Sequence, residues 1–229
     1  IQTGSSSATG VGTAAAPVRF SVLDRVEFGG IAFKNVPVFV SDIHPFRGRK
    51  KGLIGTALLK RFNVTIDVEA DVMDFYPLDR PDLLAARVDR TAVAADLPLL
   101  IYDATTVEAA PEGAPPALYI LDSAAATHLI DAPFFLKHLK PALDPARIAQ
   151  GGIQGAQGAQ TVNFIRGITI GLGGLDVPGQ TMCEFPMAAL NEIGGRYTAG
   201  LLGNPVLWPY RVHMDFKAGR LILEIFRKG

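Results

Sequence analysis

Cysteine and tryptophan are nearly absent. Cys183 and Trp208 are the only ones in 229 residues. A lone cysteine excludes an intrachain disulfide and a cysteine-based zinc site. Net charge is lacking too, because 22 basic residues balance 22 acidic ones. No long-range field therefore draws nucleic acid or an anionic membrane. The one basic cluster, Arg47-Gly48-Arg49-Lys50-Lys51, reads as a solvated loop. No apolar run approaches the roughly 20 residues of a membrane-spanning helix. The opening IQTGSSSATGVGTAAAP has neither the basic start nor the apolar stretch of a signal peptide. His44, His128, His138 and His213 show no metal-ligand spacing. Gly171-Leu172-Gly173-Gly174 precedes a strand pattern rather than a helix, so it is not a nucleotide loop.

What is present is a repeat. Residues 52–68 read GLIGTALLKRFNVTIDV and residues 200–216 read GLLGNPVLWPYRVHMDF, at a constant offset of 148. Gly52, Leu53, Gly55, Leu59, Val64 and Asp67 recur as Gly200, Leu201, Gly203, Leu207, Val212 and Asp215. Upstream, VEFGGIAFKNVPVFV (26–40) and ITIGLGGLDVPGQTM (168–182) share a layout of strand, Gly-Gly turn and strand. Downstream, both copies read as hairpins, turning at Glu69–Asp71 and Lys217–Gly219. Asp67 and Asp215 are expected to face outward beside those turns.

These patterns predict two related, mainly β halves. The first lobe covers 1–80, a helical linker 81–96, and the second lobe 97–229. Within the second lobe, 97–121 reads as a hairpin turning in EAAPEGAPP. Residues 132–143 read as a short helix with Phe134, Phe135, Leu136 and Leu139 toward the core.

Between those two elements lies ALYILDSAAATHLI (117–130), where an apolar run ends at Asp122. An aspartate there can simply close a strand and cap the turn that follows. The repeat favours a second reading. An apolar strand ending in Asp-Ser, followed later by an apolar-apolar-Gly motif, resembles the retropepsin-like and pepsin-like aspartic proteases. The pieces here are YILDSAAATHLI (119–130), GLLG (200–203) and, in the first half, GLIG (52–55). The resemblance covers most of the chain, and its two halves look like the pepsin-style pseudo-dimer or like bacterial aspartyl protease family proteins with two tandem lobes.

The resemblance implies an all-β, two-lobed β-barrel pseudo-dimer with few short helices. It implies peptide-bond hydrolysis by water between two aspartates, without metal or cofactor. Like charges at that range share one proton, so one carboxylate acts as base while the other polarises the carbonyl. Asp122 is the expected catalytic carboxylate and Ser123 its supporting hydroxyl. Leu202 and Gly203, with Ile54 and Gly55 in the first half, are the expected structural motif. GGIQGAQGAQTV (151–162) stands where a flap belongs. Gly152, Ile153, Gln154 and Gly155, with Ala124, are expected to meet an extended peptide. In the first half, SATGVGTAAAPV (7–18) is the matching segment. The expected partner is a peptide or protein substrate, and the expected setting is bacterial and exported.

Two departures stand against the pattern. Ala124 occupies a position where the family has glycine. The first half shows no Asp-Thr/Ser-Gly: Asp122 precedes Gly200 by 78 residues, and the same spacing before Gly52 falls outside the sequence. Gln2 in IQTGSSS lies too close to Gly52 and cannot act as acid or base. Asp24 sits mid-strand with no glycine after it. Three explanations stay open: a piece of a longer protease, a dimer supplying one Asp per chain, or a pseudoprotease that binds peptides or a partner without cleavage.

Overall fold

The computed structural model describes residues 4–8, 16–40, 52–102, 104–155, 158–193 and 196–226. The chain forms two compact units, one of residues 1–52 with 152–161 and the other of 53–151 with 162–229. The structure is mainly β with few short helices. Among the described residues no helix is long and apolar enough to cross a membrane. The basic cluster at 47–51, His44 and Gln2 lie outside the described residues.

The first unit carries β1 (Gly4–Ala8), β2 (Ala16–Phe28) and β3 (Ile31–Val40) in an antiparallel sheet. Gly29 and Gly30 join β2 to β3 with φ of 56° and 76°. Two successive positive φ angles match the right-handed strand twist in a two-residue hairpin, and glycine adopts them without a Cβ penalty. Asp24 lies exposed within β2, as expected of a mid-strand residue.

In the second unit, β4 (Phe62–Asp67) and β5 (Val72–Pro77) form a hairpin. A helix over Pro81–Arg87 follows, with proline at its first turn where no N–H is missed. It is shorter than the expected 81–96, because Val93–Pro98 is the strand β6, paired with a C-terminal strand. Then come β7 (Leu100–Ile101), β8 (Thr105–Pro111), β9 (Ala117–Leu121) and β10 (His128–Asp131). The β8–β9 hairpin turns at 112–116, inside EAAPEGAPP.

Residues 132–142 are helical, from Ala132–Phe134 through a wider turn at Phe135–Leu139 to Lys140–Ala142. Phe134, Phe135 and Leu139 are buried, but Leu136 is 48% exposed. Four apolar positions spaced 134, 135, 136 and 139 span too wide an arc for one face, so Leu136 is left outside.

Next are β11 (Ile148–Gly155), β12 (Gly158–Leu172), β13 (Leu175–Phe185), a helix over Ala188–Ile193, β14 (Gly200–Leu202), β15 (Tyr210–Asp215) and β16 (Arg220–Ile225). One sheet runs β11-β12-β13-β10-β14-β9-β8-β7, with a further β12–β8 pairing, and the other runs β5-β4-β15-β16-β6. Their shared core includes Val64, Leu97, Val107, Tyr119, Ile130, Ile168, Met182, Leu202 and Leu223.

The repeat reappears as register. Phe62 pairs with Pro77 and Asp67 with Val72; Tyr210 pairs with Ile225 and Asp215 with Arg220. Each pair in the second hairpin is its counterpart displaced by the repeat offset of 148. Asp67 Oδ1 accepts Ala70 N–H and Asp215 Oδ1 accepts Ala218 N–H, so both aspartates hold matched turns. Asp67 does not face outward, however. It is 2% exposed and paired with Arg87 at 3.0 Å and Arg211 at 2.6 Å. A carboxylate that gains two guanidinium partners tolerates burial that an unpaired one would not.

Candidate functional site

Asp122 leaves the end of β9, and three strands fix where it goes. β14 lies between β9, with which it runs parallel (Gly200↔Tyr119, Leu202↔Leu121), and β10, with which it runs antiparallel (Leu201↔Leu129). The segment from β9 through Asp122 to β10 therefore passes around both sides of a three-residue strand.

Successive peptide groups of β14 and its exit are tied to that segment. Asp122 N–H donates to Leu202 O at 2.9 Å, and Asn204 N–H donates to Ala125 O at 2.8 Å. Gly203 N–H donates to His128 Nδ1 at 3.0 Å. A Cβ on Gly203 would lie 2.5 Å from Thr127 O and 2.6 Å from Ala125 O. Both contacts are backbone, so no side-chain adjustment relieves them, and glycine is needed for close approach rather than for its φ. On the other side of the strand, a Cβ on Gly200 would run into Leu129 O and Tyr119. Leu201 and Leu202 between them are 7% and 0% exposed.

The Asp122 side chain accepts Ala124 N–H at 2.8 Å, which closes an Asx turn. Ala125 N–H reaches Asp122 O at 3.2 Å. Among the described residues, positive φ outside glycine occurs only at Asn35 and Asp71. Ala124 therefore needs no left-handed backbone, and its methyl group is compatible with the turn. Ser123 is exposed and lines a cavity of about 40 Å³ together with Thr56, Leu59, Thr105, Leu121 and Leu207. That cavity joins the Asp122 loop to the start of the first-half repeat, since Thr56 follows Gly55 directly.

The first-half copy of the motif is built differently. Gly55 and Gly203 both precede a helical turn, and Lys60 N–H→Thr56 O repeats as Trp208 N–H→Asn204 O, each at 2.9 Å. Yet Leu53 and Ile54 are 63% and 50% exposed, where Leu201 and Leu202 are buried. Residues 53–55 form no strand, and a Cβ on Gly55 would meet nothing within 4 Å. Gly55 thus shares the following helical turn with Gly203 but not the close backbone packing around it.

Gly152, Ile153, Gln154 and Gly155 lie in β11, the neighbour of β12, so the expected hairpin forms there. At its base Phe164 packs on Gly151, where a Cβ would come within 2.7 Å of the ring. The tip at 156–157 lies outside the described residues. The first-half counterpart is the β1–β2 hairpin, where Ala8 pairs with Ala16. Residues 9–15 between them lie outside the described residues.

One side chain matters more than its sequence context suggests. His128 is fully buried and bridges two strands: Nδ1 accepts from Gly203, and Nε2 donates to Gln180 Oε1 at 3.0 Å. Gln180 Nε2 in turn donates to Pro178 O at 2.9 Å. Burial pushes the imidazole pKa down, and the Gln180 bond opposes this. Nothing in the sequence near His128 announces a partner 75 residues away. Trp208 is 57% exposed. Among the described residues no group of three His, Cys, Asp or Glu side chains is placed to hold a metal.

No protein-family model matches the chain, and no curated protein matches it.

Proposed function

We propose that this chain is an aspartic endopeptidase that contributes Asp122 as one carboxylate of a catalytic pair. The observation that carries the reading is the β9–Asp122–β10 segment wrapped around Gly200–Leu202. Asp122, Ala125 and His128 are each bonded to the exit of that strand. A dyad requires its carboxylates held at fixed separation, and a loop tied to three successive residues, Leu202, Gly203 and Asn204, supplies that rigidity. The β12–β8 pairing, which returns the larger sheet on itself, supports reading it as the barrel of one lobe.

In this reading Asp122 and a second aspartate share one proton. The ionised member takes a proton from water as it attacks the scissile carbonyl, and the protonated member hydrogen-bonds the carbonyl oxygen. The titration belongs to the pair rather than to either residue. Ser123 extends toward the first-half repeat and supports the partner loop. An extended peptide lies against the β11–β12 hairpin around Gly152–Gly155, bonded through its main chain.

The second carboxylate comes from a complement to the first-half motif. That complement is an apolar strand of the β9 type ending in aspartate, which pairs along Leu53–Gly55. A preceding segment of the polypeptide or a second copy of the chain brings it. Full burial of a leucine or isoleucine side chain is worth about 1.5–3 kcal/mol, so covering Leu53 and Ile54 favours the assembly.

A peptide-binding pseudoprotease is the alternative. It is favoured by one observation: among the described residues, Asp122 forms no ion pair, and its carboxylate bonds only Ala124 N–H. Peptide cleavage from pH 3 to 8, compared between the native protein and Asp122→Asn, tests the choice. Loss of cleavage in the variant supports the protease. Peptide binding that survives in Asp122→Asn, with no cleavage by the native protein at any pH, supports the binder.

A further inference from the structure

The candidate site depends on one side chain that the proposed chemistry does not itself use. His128 stands six residues after Asp122, at the first position of β10, and is fully buried. Its Nδ1 faces the Gly203 N–H at 3.0 Å. A backbone N–H can only donate, so Nδ1 must carry a free lone pair. The ring proton then sits on Nε2 and goes to Gln180 Oε1, whose amide is oriented by its own bond to Pro178 O. The imidazole is thereby fixed as one neutral tautomer. Thr127 O and Ala125 O lie close around the Gly203 α-carbon, so the same peptide is packed against the Asp122–His128 segment.

We propose that His128 is a positioning residue whose neutral imidazole latches the Gly203 peptide, and with it the Asp122 loop, and that protonation of His128 opens the latch. This inference rests on the aspartic-protease reading for its catalytic consequence, though the latch itself is a property of the fold. A proton added at Nδ1 places two N–H donors face to face. The ring must turn or the Gly203 peptide must withdraw. Either movement loosens the adjoining bonds, Asp122 N–H to Leu202 O and Asn204 N–H to Ala125 O.

The surroundings leave the ring to respond to pH by itself. β14 contributes only glycine and leucine. β13 offers Cys183 and Glu184. The Cys183 sulfur lies 3.7 Å from Thr127 Oγ1, and burial pushes its thiol pKa up. Glu184 accepts from Asn163 Nδ2 at 2.8 Å. On β10 itself, Asp131 accepts from Met187 N–H and Tyr197 OH. Among the described residues none of these groups bonds the imidazole. Burial keeps the ring neutral to below the ordinary imidazole range, so the latch is closed at neutral pH and opens on the acid side.

The test has a structural arm and a catalytic arm. In the structural arm, nuclear magnetic resonance follows the His128 ring nitrogens and Gly203 amide exchange from pH 7.5 to 4. Protection of the Gly203 amide should fall in step with His128 protonation. In His128→Asn, where Oδ1 can take the place of Nδ1 without titrating, protection should persist to acid pH. Protection that survives His128 protonation, or an unchanged pH dependence in His128→Asn, overturns the latch. Neither result depends on enzymatic activity.

In the catalytic arm, His128→Leu should lower kcat by about 100-fold, the scale of a small misplacement of reacting groups, with a smaller change in KM. His128→Asn should retain activity and shift the acid limb of the kcat profile to lower pH. An acid limb identical in the native protein and His128→Asn counts against the latch. Absence of cleavage in every form counts against the protease reading, while the structural arm still decides the latch.

Discussion

Thr65 Oγ1 and His213 Nδ1 share a fully buried hydrogen bond of 2.8 Å, and they are 148 residues apart. That separation is the offset of the sequence repeat, so the two residues are counterparts that face each other. The pairing β4–β15 is antiparallel and centred on them, with Val212 opposite Ile66 and Met214 opposite Val64. Two copies of one segment thus meet at corresponding positions, as the halves of a symmetric pair would. The meeting point has become polar and asymmetric. His213 Nε2 donates to Glu224 Oε2 at 3.1 Å, Asp89 N–H reaches the same oxygen at 2.8 Å, and Arg211 bridges Glu224 to Asp67.

This network should be sensitive to truncation of one member. His213→Leu leaves Thr65 and Glu224 with lost partners in the core, at a cost of about 3 kcal/mol. Thr65→Val combined with His213→Leu should cost less than the sum of the single changes. Urea unfolding of the three variants measures this coupling.

Stability should fall with acidification in two steps. Burial lowers the pKa of both His128 and His213, with hydrogen bonds to Gln180 and Glu224 opposing it. A lowered histidine binds its proton more readily in the unfolded chain. Stability is therefore intact above about pH 6.5, the ordinary imidazole value, and declines as pH drops through the lowered folded values. Asp67 follows at more acid pH. Its burial alone would raise the carboxyl pKa, but the Ala70 amide and the Arg211 and Arg87 guanidinia hold it below normal. Its contribution is present above about pH 3.9 and is lost through its lower folded value. Urea midpoints from pH 8 to 3 should decline in this order; a rise between pH 6.5 and 4.5 would contradict it.

The two motif glycines should behave oppositely. Gly203→Ala pushes a methyl group against two backbone carbonyls and should cost about 3 kcal/mol. Gly55→Ala meets open space and should change the stability of residues 1–229 by less than about 0.5 kcal/mol. If a complement pairs along Leu53–Gly55, Gly55→Ala should weaken that assembly while leaving the chain itself intact. Thermal unfolding, and sedimentation of the native protein beside Gly55→Ala, separate the two effects.

Ala124→Gly should not improve the site. Ala124 has no left-handed backbone, so glycine there adds freedom to the unfolded chain and costs about 0.5–1 kcal/mol. Unfolding and kcat of this variant check both parts.

The sequence made the repeat legible because a gap-free offset survives as strand register. The Gly-Gly turns were legible because glycine takes two positive φ angles in succession without a Cβ penalty. β14 was legible only through its duplicate, since three residues show no alternation. The burial of Asp67 was hidden because its partners, Arg87 and Arg211, lie 20 and 144 residues away. His128 was hidden for the same reason, and local pattern made it one apolar-strand residue among several. Asp122 stood out by its place at the end of β9. Its wrapped loop depends on Gly203, whose necessity comes from carbonyls that only folding brings near.

The most direct test of the central claim compares cleavage by the native protein and by Asp122→Asn. Asparagine can still accept the Ala124 N–H, so the loop should survive and urea stability should change by less than about 0.5 kcal/mol. Casein peptides are incubated from pH 3 to 8 and products are read by mass spectrometry. Cleavage by the native protein, abolished in a folded Asp122→Asn, is expected. Cleavage that persists undiminished in Asp122→Asn would contradict it.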